Sequence, residues 1–327
     1  NNVSLRGNGN ATILKRMYYN SIGSTDRGLI TLNGKSGCKI QGLQIDGNNY
    51  TSDDDCDTSD DNCGIYLYSS SNNTITGNTC NNDDFGIRLS SSSNNNTITS
   101  NTCNNNISGI YLSSSSYNTV TGNACTNNST GIELSSSSNN NTITDNTCNN
   151  NDCDGICLYS SSDNTITSNT CNNNDDDGIY LHSSSNNTVT GNTCNNNYCG
   201  IRLYSSSNDN TITSNTCNNN NIGIFLYLSS DNTIIGNTCT NNNSYGIRLY
   251  SSSNNNTITS NTCNNNDSDG ICLYSSSNNT ITSNACIRGT GQTSNYTSDQ
   301  YTIRLQGDGN KYNLISLNNC MGKAVVV

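Results

Sequence analysis

Cysteine is the residue of this sequence with the widest range of possible chemistry, and it occurs 18 times in 327 residues. The spacings do not match a zinc finger, and so many thiols favour an oxidising compartment in which disulfides persist. Buried thiols are the alternative, because a cysteine in an apolar core behaves as a small hydrophobic side chain. The role of each cysteine therefore depends on the element that positions it.

Most of the cysteines belong to a repeat. The stretch NTITSNTCNNN at 96–106 returns letter for letter at 164–174, 210–220 and 256–266. Each unit reads GIxL(Y/S), a serine-rich turn, N-T-(I/V)-T-x-N-(T/A)-C and an Asn/Asp turn, with opening glycines 22 to 24 residues apart. Both apolar runs alternate at period 2, which predicts strands. Periodicity of this length predicts a solenoid.

One unit has too few apolar residues to fold alone. Stacked units would place each side chain on its copy one coil away, ~4.8 Å along the stack. The isoleucines would then form buried columns, and the asparagine two residues before the cysteine would form an amide ladder inside a narrow core. Stacking explains how a chain with 30% hydrophobic residues and no tryptophan can fold.

The units NNTITGNTC at 72–80 and GIYLYSSSNN at 64–73 resemble those of the right-handed parallel β-helix repeat family. That family includes pectin-lyase-like enzymes and many archaeal and bacterial surface proteins, and the resemblance covers nearly the whole chain. We expect an all-β, single-stranded right-handed parallel β-helix of about 13 coils. One domain over 1–327 is expected, with irregular opening coils at 1–63 (acidic loop 48–62), regular repeats at 64–286, a loop insertion at 287–300 and a closing coil at 301–327.

Alignment of the units predicts one inward column of packed thiols, with vertical disulfides as the alternative. Cys56 and Cys63 flank the acidic loop and are candidates for an intramolecular disulfide. Cys157 and Cys272 occupy x in GIxL and are expected to point to solvent. Candidates for intermolecular disulfides are therefore Cys157, Cys272, Cys153, Cys199 and Cys38. The inward column contains Cys80, Cys103, Cys125, Cys148, Cys171, Cys194, Cys217, Cys239, Cys263, Cys286 and Cys320.

The outward x position of GIxL carries the charged residues that could catalyse a reaction. Glu133 has no second carboxylate beside it in this column, so a two-carboxylate glycosidase site is not visible. The lone His182 is interpreted as a surface residue rather than a base. No catalytic, cofactor-binding or metal-binding residue is predicted, and the chain is not expected to be an enzyme. The column reads Tyr66, Arg88, Tyr111, Glu133, Cys157, Tyr180, Arg202, Phe225, Arg248, Cys272 and Arg304.

Three further patterns leave alternatives open. A tyrosine column could stack on sugars or form a subunit contact, and the contact is favoured. Outward threonine pairs such as Thr97/Thr99 would suit ice binding, although threonine is a common exposed strand residue. Acidic runs at 53–61 and 175–177 could bind calcium, but solvated loops are favoured because neither matches an EF-hand. The tyrosines are Tyr68, Tyr159, Tyr204, Tyr250 and Tyr274.

The net charge of −11 argues against nucleic-acid partners, and no apolar run is long enough to span a membrane. With no signal peptide at Asn1, we expect a mature chain that is extracellular or at the cell surface.

Solenoid ends present open strand edges, and the C-terminal Val325, Val326 and Val327 form a candidate assembly edge. The leading hypothesis is a structural protein that polymerises with itself, by end-to-end stacking and lateral disulfides, into a surface layer, sheath, tube or filament. Cell-surface glycans are further candidate partners. The alternatives are a carbohydrate-binding or polysaccharide-cleaving surface protein and an ice-binding β-solenoid.

Overall fold

The computed structural model describes residues 2–17, 28–48, 62–287 and 301–322. These residues form an all-β parallel solenoid of about 10 turns, which confirms the predicted fold class. The number of turns is slightly below the prediction. The outer coils have short and mostly exposed strands such as Ser4–Arg6 and Asn319–Met321. The described residues contain one 3-10 turn, Gly9–Ala11, and no helix long and apolar enough to cross a bilayer.

The strands group into two compact units, Asn1–Thr165 and Ile166–Val327. Each unit has three parallel sheets, called A, B and C here. In the first unit, sheet A contains β1 (Ser4–Arg6), β4 (Lys39–Gln41), β7 (Thr74–Thr76), β10 (Thr97–Thr99), β13 (Thr119–Thr121) and β15 (Thr142–Thr144). Sheet B contains β2 (Ile13–Lys15), β5 (Gln44–Asp46), β8 (Thr79–Asn81) and β11 (Thr102–Asn104). Sheet C contains β3 (Gly28–Asn33), β6 (Cys63–Tyr68), β9 (Phe85–Ser90), β12 (Ser108–Ser113), β14 (Thr130–Ser135) and β16 (Ile156–Tyr159).

The second unit repeats this arrangement. Its sheet A contains β17 (Thr165–Thr167), β19 (Thr188–Thr190), β21 (Thr211–Thr213), β23 (Thr233–Ile235), β25 (Thr257–Thr259), β27 (Thr280–Thr282) and β30 (Leu314–Ser316). Its sheet C contains β18 (Asp177–His182), β20 (Cys199–Tyr204), β22 (Ile222–Tyr227), β24 (Tyr245–Tyr250), β26 (Asp269–Tyr274) and β29 (Tyr301–Gln306). Sheet B contains β28 (Ala285–Ile287) and β31 (Asn319–Met321).

The core of each unit is a set of stacked columns. In sheet C, Ile201 and Leu203 are fully buried, and so is the isoleucine between the two threonines of each T-I-T strand. The opening glycine is required by the close approach of the cysteine column. A Cβ on Gly200 would lie 2.6 Å from the carbonyl oxygen of Gly223 and 2.7 Å from the Cβ of Cys217. The glycine and cysteine of the repeat are therefore two parts of one packing arrangement.

An amide ladder runs beside the apolar columns. The buried Asn192 side chain accepts hydrogen bonds from the backbone N–H and the side-chain amide of Asn169, at 2.8 and 3.0 Å. Its own amide donates to the carbonyl oxygen of Ile166 and to the side chain of Asn215, at 2.9 and 3.0 Å. Each asparagine thus satisfies polar groups in the coil before and the coil after, which fixes the register of the stack.

Asparagine and serine also shape the turns. Asn196, Asn219 and Asn241 have φ values of 59°, 57° and 56°, in the left-handed region. Asparagine tolerates this region better than most residues because its short side chain hydrogen-bonds locally. The low hydrophobicity of the sequence thus reflects both the turns and the ladder.

Replacing one ladder asparagine should destabilise the fold more than replacing an exposed one. Asn192→Ala leaves the N–H of Asn169 and the carbonyl of Ile166 without their side-chain partner, so we expect a loss of about 3 kcal/mol in the free energy of unfolding. Asn243→Ala is the matched control, because the Asn243 side chain is exposed and should cost under about 0.5 kcal/mol. Urea unfolding followed by circular dichroism measures both, and equal losses would contradict the ladder.

Candidate functional site

The outward face of sheet C in the second unit carries two adjacent columns of functional side chains. In the first column the strand register stacks the x residues of GIxL directly on one another. Because the strands are parallel and in register, side chains two residues later form the second column along the same face. The first column is Tyr180, Arg202, Phe225, Arg248, Cys272 and Arg304, and the second is His182, Tyr204, Tyr227, Tyr250, Tyr274 and Gln306.

The second column is a ladder of stacked rings. Ring centroids are 5.5 Å apart between His182 and Tyr204, and 4.8 Å apart between Tyr204 and Tyr227. The ladder continues at 5.7 Å to Tyr250 and 4.7 Å to Tyr274. Interplanar angles of 10 to 26° make the rings nearly parallel. The result is a rigid aromatic wall along the stack.

A groove lies between the two columns. Its volume is about 430 Å³, and three successive strands line it, β20, β22 and β24. The groove therefore runs along the stack, with tyrosines on one wall and two arginines separated by a phenylalanine on the other. The lining residues are Arg202, Tyr204, Phe225, Tyr227, Arg248 and Tyr250.

Two of the three arginines in the first column have buried carboxylate partners. Arg202 Nε lies 3.2 Å from Asp177 Oδ2, and Arg304 Nη1 lies 3.9 Å from Asp269 Oδ2. Burial opposes the charge of Arg202, but the Asp177 carboxylate, Cys199 and Tyr180 together outweigh burial and raise the pKa of this guanidinium. These pairs hold the two guanidinium groups against buried carboxylates.

Arg248 is different, because no carboxylate of the described residues forms an ion pair with it. Its guanidinium carbon lies 4.7 Å from the ring centroid of Tyr245, 4.8 Å from that of Tyr250 and 5.7 Å from that of Phe225. Its buried Nε has no hydrogen-bond partner in the described structure. Burial raises the pKa of Tyr245, so this phenol stays protonated beside the cation. The groove therefore contains a preoriented positive charge that no carboxylate in the described part of the chain neutralises by an ion pair.

This combination favours a ligand with flat rings and anionic groups. Aromatic rings provide large, rigid apolar surfaces. A guanidinium binds carboxylates through a planar, charge-assisted pair of hydrogen bonds. Neutralising a carboxylate in this way would also acidify the hydrogen on the adjacent carbon, and the nearby imidazole and phenols are groups that can carry protons.

Sequence reasoning placed the arginines in the correct order but missed two members of the ladder. His182 was expected to be an isolated surface residue, but it is half-buried and stacks on Tyr204. Tyr227 was missed because Leu228 interrupts the serines that usually follow. Counting the last residue of GIxLY in every unit would have found both, since strand register alone places them in the column.

The corresponding face of the first unit is built differently. Arg88 lies 4.6 Å from the ring centroid of Phe85 and 5.3 Å from that of Tyr111. Ser108 Oγ donates to Glu133 Oε2 at 3.0 Å, and burial raises the pKa of that carboxyl. Serines replace the tyrosines of the second column at positions 90, 113 and 135. This face therefore lacks a continuous aromatic wall among its described residues.

The repeat cysteines form one inward column of thiols. All are buried except the half-buried Cys320, and register places Cys103 on Cys80 and Cys320 on Cys286. Burial raises the pKa of Cys239 well above its usual value. The buried thiols of this column serve as core side chains.

The cysteines expected to reach solvent do not. Cys157 and Cys272 are each only 1% exposed. Their side chains are short and lie between larger neighbours, with Glu133 beside Cys157 and Arg248 and Arg304 on either side of Cys272. The expectation that these thiols point to solvent is therefore wrong.

The other candidates for intermolecular disulfides are also mostly covered. Cys199 and Cys38 are buried, and Arg202 Nη2 donates to the sulfur of Cys199 at 3.7 Å. Cys153 is half-buried, with its sulfur 3.5 Å from Ser129 Oγ. Cross-linking without local unfolding is thus open to Cys153 alone among these five cysteines.

Several predictions fall outside the described residues. These are Cys56, the acidic run at 53–61 and the edge at Val325, Val326 and Val327; Cys63 itself is buried. The second acidic run does not converge on a calcium site. Asp175 and Asp176 are exposed, whereas the buried Asp177 pairs with Arg202.

Comparison with known families gives two matches. The model for the right handed beta helix region matches residues 27–194. The model for the periplasmic copper-binding protein (NosD) matches residues 149–319. Each covers about half of the chain. No curated protein sequence matches.

Several solved structures share the fold. The A-module of the mannuronan C-5 epimerase AlgE6 of Azotobacter vinelandii is 15% identical, with a TM-score of 0.67 and 90% of each chain covered. The periplasmic alginate epimerase AlgG is 14% identical, with a TM-score of 0.61, covering 86% of this chain and 70% of the epimerase. The DFA-IIIase of Arthrobacter chlorophenolicus without its lid is 11% identical, with a TM-score of 0.60, covering 90% of this chain and 86% of the enzyme.

These neighbours correct one prediction. The chain was not expected to be an enzyme, yet several structures that share its fold are epimerases and another is a DFA-IIIase. The expectation rested on the scattered charges of the outward column, on Glu133 without a paired carboxylate and on the lone His182. A sheet face that carries arginine, tyrosine and histidine offers other chemistry, so the absence of such a pair does not exclude catalysis.

Thiol labelling should separate the buried column from Cys153. In the native protein under reducing conditions, we expect a thiol reagent to modify Cys153 quickly and the column cysteines of 64–286 only after denaturation, because the fold covers the column thiols. Peptide mass spectrometry of native and denatured samples measures this. Rapid native labelling of Cys217 or Cys239 would contradict the described core.

Proposed function

The chain belongs to the right-handed β-helix and NosD families, and from this fold and the groove of its second unit we propose that it binds and acts on an acidic polysaccharide. The polysaccharide would lie along the outward face of sheet C, over β20, β22 and β24. Its sugar rings would pack on the tyrosine ladder, and its carboxylates would bind the arginine column.

One observation carries the proposal: Arg248 and the stacked tyrosines line the same groove. The guanidinium lacks a carboxylate partner in the described structure, while aromatic rings hold it in place. A polyanion would supply the counter-charge, and the rigid row of tyrosines would favour a chain of rigid cyclic units over a flexible anion.

The neighbours' activities support a carbohydrate-related role. Two of them are named as epimerases of mannuronan or alginate, which are acidic polysaccharides, and the third is a DFA-IIIase. They favour the carbohydrate alternative over a self-assembling structural protein. The names of NosD and of AlgG also support a location outside the cytoplasm, either periplasmic or secreted.

Copper, which the NosD description implies, does not fit the described residues. They contain no group of three or more His, Cys, Asp or Glu side chains that could hold a metal ion. The thiols succeed one another along the core instead of converging on one point, and burial favours their protonated form. His182, the single histidine, stacks on Tyr204. We therefore derive no step through copper.

Removing the charge of Arg248 should weaken binding of an acidic polysaccharide. A hydrogen-bonded charge pair contributes about 1.5–3 kcal/mol, so Arg248→Gln should raise Kd roughly tenfold to hundredfold. Isothermal titration with size-fractionated oligouronates measures this at two salt concentrations. The wild-type affinity should fall as salt increases, and the variant should depend less on salt.

Arg88→Gln is the matched control for this substitution. Arg88 occupies the corresponding x position of GIxL in the first unit and also lies over aromatic rings, but its face has serines where the second unit has tyrosines. Its removal should leave the affinity unchanged. Equal losses for both variants would indicate nonspecific charge attraction, and no loss for Arg248→Gln would refute the proposed site.

Action on the polysaccharide can be tested separately from binding. If the arginines neutralise a bound carboxylate so that the neighbouring C–H becomes acidic, hydrogen at that carbon should exchange with D₂O solvent. NMR of oligouronates incubated with the protein would detect this exchange. Tight binding with no exchange and no change in the sugars would contradict the proposed action and leave binding alone.

A further inference from the structure

The arginines of the first column recur with a period of two coils. Register places Arg202, Arg248 and Arg304 at every second strand of sheet C, with Phe225 and Cys272 between them. Successive arginines are therefore about 10 Å apart along the stack, twice the spacing of parallel strands. The intervening positions carry no charge, because one is an aromatic ring and burial raises the pKa of the Cys272 thiol to about 12.

The aromatic wall has a different period. A ring occurs at every coil from Tyr204 to Tyr274, and Gln306 follows at the next. No arginine or lysine stands in this column between His182 and Gln306. The face thus presents an aromatic surface at each coil and a cation at every second coil, on one wall only.

A polysaccharide chain has a comparable repeat. In an extended polysaccharide, one pyranose ring with its linkage is roughly as long as the spacing between neighbouring strands, about 5 Å. A glycan running along the groove would therefore place one sugar on each coil. Each sugar would meet a tyrosine, but only every second sugar would meet an arginine.

We propose that the preferred ligand is a polysaccharide in which an acidic sugar alternates with an uncharged one. This inference rests on the proposed function and narrows its substrate class. The acidic sugars would bind Arg202 and Arg248, and the sugar between them would pack against Phe225. Arg248 contributes most to binding, because Arg202 already pairs with the buried Asp177 and Arg304 with the buried Asp269.

A polymer with a carboxylate on every sugar fits less well. If all its carboxylates faced the first column, half would lie against Phe225 and Cys272. If the carboxylates of successive sugars pointed in opposite directions, half of the carboxylates would face the tyrosine ladder instead. In both cases these carboxylates lose water without gaining a cation, which is unfavourable.

The experiment compares three oligosaccharides of equal length by titration calorimetry with the full chain at 0.15 M salt. The probes are an octasaccharide of hyaluronan, in which glucuronate alternates with N-acetylglucosamine, an octagalacturonate and a neutral chitin oligosaccharide. We expect the alternating probe to bind at least fivefold more tightly than octagalacturonate, and the neutral probe to bind most weakly.

Placing a cation at the intervening coil should reverse this order. Phe225→Arg makes three successive coils of the column cationic, so octagalacturonate should become the tighter of the two acidic ligands. Phe225→Tyr keeps the position aromatic and uncharged, and should keep the wild-type preference. Circular dichroism shows whether both variants are folded. If Phe225→Arg does not fold, the ratio of the wild-type affinities for the alternating probe and octagalacturonate decides whether alternation is preferred.

The outcomes separate this inference from the proposed function. Equal or tighter wild-type binding of octagalacturonate would overturn the alternation and leave an acidic-polysaccharide site in place. If neither acidic probe binds, or if the neutral probe binds most tightly, the proposed function fails as well. A preference for the alternating probe that Phe225→Arg leaves unaltered would also overturn the role of the two-coil period.

Discussion

The hydrogen bonding of each asparagine to its copies in adjacent coils is the constraint on which the rest of this structure depends. In the second unit, Asn192 accepts from the coil that contains Asn169 and donates towards the coil that contains Asn215. A coil shifted by one residue would leave these buried amides unsatisfied, which is costly in a core this narrow. The ladder therefore fixes register, and register determines which side chains meet on every face.

Fixed register converts small sequence differences into surface chemistry. The same strand position is serine in several coils of the first unit and tyrosine in four strands of the second, and only the latter produces a continuous ring ladder. Arginine at every second coil becomes a row of cations because no coil slips relative to its neighbours. Two of these cations form ion pairs with buried carboxylates, Arg202 with Asp177 and Arg304 with Asp269. Arg248 lacks such a partner among the described residues, and a bound anion would supply one.

The fold could be predicted from the sequence because period, glycine, asparagine and cysteine all indicate the same stacked unit. The face was harder to interpret because alternation predicts that a side chain points outward but does not predict how far it reaches. Cys157 and Cys272 occupy outward positions yet are covered by longer neighbours. His182 appeared isolated in the sequence, but it is in contact with Tyr204 once the coils are stacked. Contacts between coils that are 22 to 24 residues apart in sequence create the groove, and a residue-by-residue reading does not reveal them.

The most direct test of the central claim is a crystal structure of the chain with a bound acidic oligosaccharide. The proposed site requires that the sugar rings lie over Tyr204, Tyr227 and Tyr250, with a carboxylate hydrogen-bonded to the guanidinium of Arg248. An oligosaccharide bound only to the threonine face of sheet A, or only to the first unit, would contradict it.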